Sequence, residues 1–242
     1  HFEAIGRRPS TANGWNSGYY TQGVERAVNM PLADFLTSDN PMNRTGIDNF
    51  LEKHSVDYIV LDNTMIGKYS AVSTISNGAI NLPNETEGEP TSMITLSSSQ
   101  DIRNSLSRSG NYTTLQLSDS RTGLRVYAPV EISNTSVSYS GAPSVQTQGQ
   151  RIQLDCLISE DGTQTFDVDS QMDYCLAEDP YYSLERGFSS NQVQTRGVLV
   201  PKSIMNSQLV ELYLADGTDL DYVEKVEEGS NDYVKMWKVN QE

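Results

Sequence analysis

Lysine is scarce in this chain of 242 residues. Lys53, Lys68, Lys202, Lys225, Lys235 and Lys238 stand beside 11 arginines and 32 acids, for a net charge of −15. No stretch interleaves cations with aromatics, which disfavours a nucleic-acid partner, because phosphate binding rests on counterion release by Lys and Arg. An anionic membrane surface is disfavoured for the same reason. Many acids, few lysines and abundant Ser, Thr, Asn and Gln suit concentrated salt, where self-repulsion is screened and solubility gains.

Histidine is scarcer still. His1 and His54 are the two imidazoles, and with Cys156 and Cys175 they make no zinc spacing. There is no Gly-x-Ser-x-Gly elbow and no base beside either cysteine, so nucleophilic catalysis has little to stand on. Copper held by an amino-terminal His1 with His54 would call for a β-sandwich, whereas residues 19–75 read as α/β. Asp167, Asp169 and Asp173 lack the glycine and terminal glutamate of a calcium loop, so a solvated acidic face is expected. The cysteines lie 19 residues apart. They are compatible with one disulfide, worth on the order of 3 kcal/mol by the chain-entropy model, or with two buried thiols.

Long apolar runs are missing too: nothing approaches the roughly 20 residues that span a bilayer. Neither an initiator Met nor a secretory h-region is present, and His1 is expected to be a processed terminus or a cut. The length permits one large or two small domains burying about 70% of the unfolded surface.

What the chain does have is a central apolar stretch, Val56-Asp57-Tyr58-Ile59-Val60-Leu61, running into Asp62. Apolar side chains on both faces predict a strand inside an α/β layer. A carboxylate at its carboxyl end stands where such folds present ligand-binding groups, although Asp62 or Asn63 would equally cap the helix expected over about 64–75. The spacing of Val24, Ala27, Val28, Leu32, Phe35 and Leu36 predicts a helix over 19–35, kinked or restarted at Pro31. Ile47–Lys53 predicts a second helix, ending at His54 with the imidazole near the last carbonyls. Asp101–Ser107 suggests a short helix, and residues 113–117 and 124–128 a strand pair turning at 119–123. Beyond about 130, alternating segments at 134–139, 151–158, 164–168, 196–200, 208–214, 222–227 and 233–239 predict strands between Gly, Asp and Asn turns. The fold class is therefore α+β: a mixed α/β core over 1–130 and a β-rich domain over 131–242.

The run His1-Phe2-Glu3-Ala4-Ile5-Gly6-Arg7-Arg8-Pro9-Ser10-Thr11-Ala12-Asn13 resembles the segment that follows the WWDYG signature in archaeal oligosaccharyltransferase catalytic subunits. Further matches are Ala33-Asp34-Phe35-Leu36-Thr37-Ser38, the strand and helix around Asp62, and the closing Asp232–Val239. They are dense over the first third, and the signature itself is not in the chain. The resemblance implies the extracytoplasmic C-terminal globular part of such an enzyme, the membrane portion lying upstream. The whole enzyme would transfer a glycan from a lipid-linked oligosaccharide to the asparagine of an Asn-x-Ser/Thr acceptor peptide. A divalent metal, Mn or Mg, would be held in the membrane portion, with no cofactor, metal ligand or catalytic residue in this chain, which should be inactive alone.

In that family a helix carries Asp-x-x-Lys-x-x-x-(Met/Ile), or a form with Met in place of Lys and Ile three residues on. Asp62-x-x-Met65 fits the second form, Lys68 stands where its Ile is expected, and Tyr69 and Val72 take neighbouring positions. The resemblance implies that Asp62, Met65, Lys68, Tyr69 and Val72 bind the acceptor Ser/Thr, with Met65 against the Thr methyl while Asp62 and Lys68 orient the helix. A pocket that hydrogen-bonds a hydroxyl rejects analogues lacking it, and a thioether packs readily on a methyl. The plainer alternative makes Met65 core filler and Lys68 solvated surface. A different class, a non-catalytic cell-surface binding module, would fit the β-rich part as well. Asn43-Arg44-Thr45, Asn84-Glu85-Thr86, Asn111-Tyr112-Thr113 and Asn134-Thr135-Ser136 are glycan-acceptor triplets, several of which chance supplies in so polar a chain.

Overall fold

The computed structural model describes residues 30–37, 43–67, 69, 93–100, 112–119, 121–132, 137–147, 149–179, 193–227 and 234–240. They form an α+β fold dominated by strands. Helix α1 is Met30–Thr37 and α2 is Arg44–Lys53. Pro31 lies in the first turn of α1, where its missing N–H has no partner to lose. Asn43 caps α2, its backbone extended and its Oδ1 accepting from the Gly46 amide at 2.9 Å. One face of α2, Ile47, Phe50 and Leu51, is buried, and Phe50 stacks on Phe35 of α1 at 4.7 Å. His54 ends α2 as expected. Burial and then the neighbouring Lys53 charge lower its pKa, and its ring packs on Phe50. The expected helix portion 19–29 and the helix at 101–107 lie outside the described residues.

A three-stranded sheet has the order β1-β13-β12, with β1 Tyr58–Asp62, β12 Val223–Lys225 and β13 Val234–Val239. The pairing is antiparallel, Ile59 opposite Trp237 and Asp62 opposite Val234. Here the expectation of a strand interior to an α/β layer is corrected: β1 is an edge strand among the described residues. Ile59 and Leu61 point into the core, Val60 is half-buried and Tyr58 is 44% exposed. Its apolar run fills one face and the shelter of the helices, not two sheet faces.

The strands truly buried on both faces lie in the ten-stranded sheet. They are β8 Cys156–Ser159, β10 Tyr174–Glu178 and β11 Val193–Pro201, joined by β2 Ile94–Gln100, β3 Tyr112–Ser118, β4 Arg125–Ile132, β5 Val137–Tyr139, β6 Ser144–Thr147, β7 Gln150–Gln153 and β9 Gly162–Thr165. Cys156, Ile158, Cys175, Ala177, Val198 and Val200 turn to a core shared with the helices and the small sheet. The alternate residues Leu157, Leu176 and Leu199 turn to a second core, which the curled sheet closes with Leu96, Leu115, Leu117 and Val126. Both sheets draw strands from either side of residue 130. The expected pair around the 119–123 turn is present as β3 and β4, Leu115 opposite Ala128. The cysteines are joined as Cys156–Cys175, bridging the parallel neighbours β8 and β10.

One predicted strand is not a strand. Residues 210–214 wind as a π-helix, the Ala215 amide reaching the Val210 carbonyl at 3.1 Å, and Val210, Leu212, Tyr213 and Leu214 are all buried. A short run that is apolar at four of five positions carries too little period to tell helix from strand. The π-helix ends in a left-handed pair, Asp216 at φ 60° and Gly217 at φ 69°. The indole Nε1 of Trp237 donates to the Asp216 carbonyl at 3.2 Å.

Candidate functional site

β1 ends at Asp62, and the chain turns at Asn63 and Thr64 before a helical segment opens at Met65. The Asp62 Oδ1 accepts from the Thr64 amide at 2.9 Å and from the Thr64 hydroxyl at 2.6 Å. Asp62 is thus a helix cap in the first instance. Both bonds fall on one carboxylate oxygen, so Oδ2 stands outside them. Three residues on, Met65 is half-buried and packs on the edge of the larger core, while Ile66 is buried. A thioether in that position shows one flank to the core and one to the surroundings.

Tyr69, expected beside Met65 on the ligand side, is 1% exposed, and its hydroxyl donates to the Thr37 carbonyl at 3.2 Å. Its ring belongs to the core and ties the segment to the end of α1. Lys68 and Val72 lie outside the described residues.

Sequence reasoning missed the residues that the fold brings up to Asp62. Tyr213, on the π-helix, has its phenol pKa raised by burial and then by the charges of Asp179, Asp62 and Glu160, against the opposing pull of Arg196. Asp179 follows β10 and is buried, with Arg196 of β11 3.9 Å from its carboxylate. Asp62 and Asp179 thus share Tyr213 as an electrostatic neighbour, with Arg196 of β11 beside Asp179. The continuous run Tyr174-Cys175-Leu176-Ala177 was the available signal for β10, and the acids before it obscured the strand.

Among the described residues no group of three or more His, Cys, Asp or Glu is arranged to hold a metal ion. Asp167, Asp169 and Asp173 are each exposed. No helix among the described residues is long and apolar enough to cross a membrane. Within four residues the β1 exit thus carries the Asp62 carboxylate, the Thr64 hydroxyl bonded to it and the half-buried Met65 thioether.

No protein-family model matches the chain, and no curated protein matches it. Among solved structures, it is similar to the C-terminal globular domain of oligosaccharyltransferase from Pyrococcus abyssi, at 14% identity and a TM-score of 0.48 over 94% of this chain and 48% of that one. It is also similar to the C-terminal domain of PglB from C. jejuni, at 14% identity and a TM-score of 0.40 over 84% of this chain and 65% of that one. The chain spans about half the length of the Pyrococcus structure.

Proposed function

We propose that this chain is the extracytoplasmic C-terminal region of an archaeal oligosaccharyltransferase catalytic subunit. In this reading it helps select the Ser/Thr of Asn-x-Ser/Thr acceptor peptides, inactive by itself. The lipid-linked oligosaccharide and a divalent metal belong to the membrane portion upstream. The residue-level resemblance of His1–Asn13, Ala33–Ser38 and the Asp62 segment supports the family reading. The acidic, lysine-poor surface suits a halophilic setting.

The observation that carries the recognition role is the exit of β1, where the doubly bonded Asp62 fixes the turn and leaves Met65 half-buried. Met65 supplies the contact to the Thr methyl, and Asp62 and Lys68 hold the helix that presents it. Tyr69 acts from within, as the anchor of that helix on Thr37. Val72 completes the proposed acceptor-binding set.

The test is Met65→Ala in the complete enzyme, with Asn-x-Thr and Asn-x-Ser peptides compared. A lost methyl contact is worth about 1–3 kcal/mol in an apolar pocket, so Thr acceptors should lose severalfold more than Ser acceptors. Equal losses for both would remove the role. Reading the coding sequence upstream of His1 tests the wider proposal. Apolar spans ending in WWDYG support the enzyme, and a secretory signal directly before His1 supports the binding module instead.

A further inference from the structure

The triplet Asn43-Arg44-Thr45 is left unused by the reading above, and the fold gives it a specific setting. Asn43 and Thr45 are both exposed. Asn43 is the N-cap of α2, with φ −63° and ψ 164°, and its side-chain carbonyl oxygen accepts from the Gly46 amide at 2.9 Å. The amide nitrogen is the other branch of the same planar group and stands outside that bond. Attachment through Nδ2 would therefore keep the oxygen that caps the helix. A modification that ordinarily competes with local structure is here compatible with it.

The folded triplet is nonetheless a poor acceptor. Arg44 and Thr45 are already wound into the first turn of α2, so the triplet is held in one fixed turn and cannot adapt to a site that reads Asn and Thr together. Arg44 is also held in place, paired with Asp48 at 2.8 Å and with Asp221, its guanidinium over the Tyr222 ring. Before folding none of this applies. A helix of 10 residues is marginal alone, and α2 depends on burying Ile47, Phe50 and Leu51.

We propose that Asn43 is an N-glycosylation site, modified before α2 docks and retained afterwards as the glycan-bearing cap of that helix. In the step, Asn43 Nδ2 forms a bond to the anomeric carbon of a lipid-linked oligosaccharide. The bond from that carbon to the lipid phosphate oxygen breaks, the lipid phosphate leaves with the electron pair, and the amide gives up one proton. The proposal rests on the extracytoplasmic location in the reading above, but not on any role of Met65.

The experiment is peptide mapping by mass spectrometry of the full-length chain purified from its own cells, as wild type, Thr45→Ser and Thr45→Ala. The peptide spanning Asn43 should carry a glycan mass in the wild type and Thr45→Ser, and none in Thr45→Ala. Thr45 is exposed, so Thr45→Ala should melt with the wild type. A bare Asn43 in the wild type, or a modification that survives Thr45→Ala, overturns the proposal. The other triplets separate the two readings. Glycan at Asn84, Asn111 or Asn134 beside a bare Asn43 overturns this site alone, and four bare triplets overturn the location with it. Offering membranes that hold lipid-linked oligosaccharide the unmodified chain, either folded or unfolded in a compatible denaturant, tests the order of events. The unfolded chain should be modified at least tenfold faster, and equal rates would overturn modification before docking.

Discussion

Lys235 places its ammonium 2.7 Å from the Asp216 carboxylate, with only 6% of its side chain exposed. The other oxygen of Asp216 takes Lys225 at 2.6 Å, and Lys235 also reaches the Tyr213 carbonyl at 3.2 Å and Glu160 at 3.2 Å. One carboxylate on a left-handed residue therefore joins β12, β13 and the end of the π-helix. Removing one member of a buried pair strands its partner, a loss of about 3–5 kcal/mol in buried settings. Asp216→Ala removes the shortest partner of both ammoniums and leaves them Glu160 and Glu227, at 3.2 and 3.8 Å, so it should fall at the low end of that range. Lys235→Met, which leaves Asp216 with Lys225, should cost less. Urea unfolding of the three proteins orders them, and equal stability of Asp216→Ala and wild type would contradict the assignment.

The same cluster sets an alkaline limit. Burial pulls the Lys225 pKa down, but its hydrogen bond and charge interaction with Asp216 outweigh that, and the net shift is upward. A lysine raised in the folded state contributes stability that is complete below its unfolded pKa, about 10.4, and is lost as pH rises through the folded value. Stability should thus hold to about pH 10 and decline above it. Lys225→Met should lose part of that decline. A variant with the same alkaline slope as wild type would show that Lys225 does not set it.

Gly197 on β11 is a packing requirement. A methyl there would stand 3.0 Å from Leu117 Cδ1, 3.1 Å from Leu176 Cδ1 and 3.4 Å from the Ala177 carbonyl. Both leucines are fully buried in the second core. Gly197→Ala should cost about 1 kcal/mol and Gly197→Val about 3, within the overpacking range. Thermal melts measure the pair, and a valine variant as stable as wild type would mean that the curl of the sheet has slack at this point.

Reducing the Cys156–Cys175 disulfide should lower the unfolding free energy by about 3 kcal/mol, the chain-entropy value for a loop of this size. Both sulfurs are buried, at 4% and 0% residue exposure. Mild reductant should therefore act slowly on the native chain and quickly in denaturant. Equal rates in both conditions would mean that the bridge is open to solvent.

Tyr69 and Met65 make opposite predictions although they share a segment. Tyr69→Phe removes one buried hydrogen bond and should cost about 1 kcal/mol of stability without altering the Thr-to-Ser acceptor ratio of the complete enzyme. A changed ratio would bring the Tyr69 hydroxyl into contact with substrate.

The local elements were the legible ones. The apolar 3–4 spacing of Ile47–Lys53, though not the start of that helix at Asn43, and Asp119–Gly123 between alternating runs state their structures in adjacent residues. Pairing across the chain was not legible. Nothing in Tyr58–Asp62 specifies that its partner is Val234–Val239, and the apolar run was read as interior when only one face and the helices cover it. Strands at Cys156 and Val198 are expected from the sequence but not their burial on both faces, and β10 at Cys175, five residues long, shows no period, just as the mostly buried turn at 210–214 does not. At the candidate site, Asp62 was legible as a turn carboxylate. The approach of Tyr213, Asp179 and Arg196 depends on tertiary packing between segments far apart in sequence.

The pairing of β1 with β13 also has a consequence for biogenesis. At synthesis rates of about 5–20 residues per second, β1 leaves the ribosome on the order of ten seconds before its partner exists. For that interval Tyr58-Ile59-Val60-Leu61 is an uncovered sticky edge. The ladder can close only once β13 has been made.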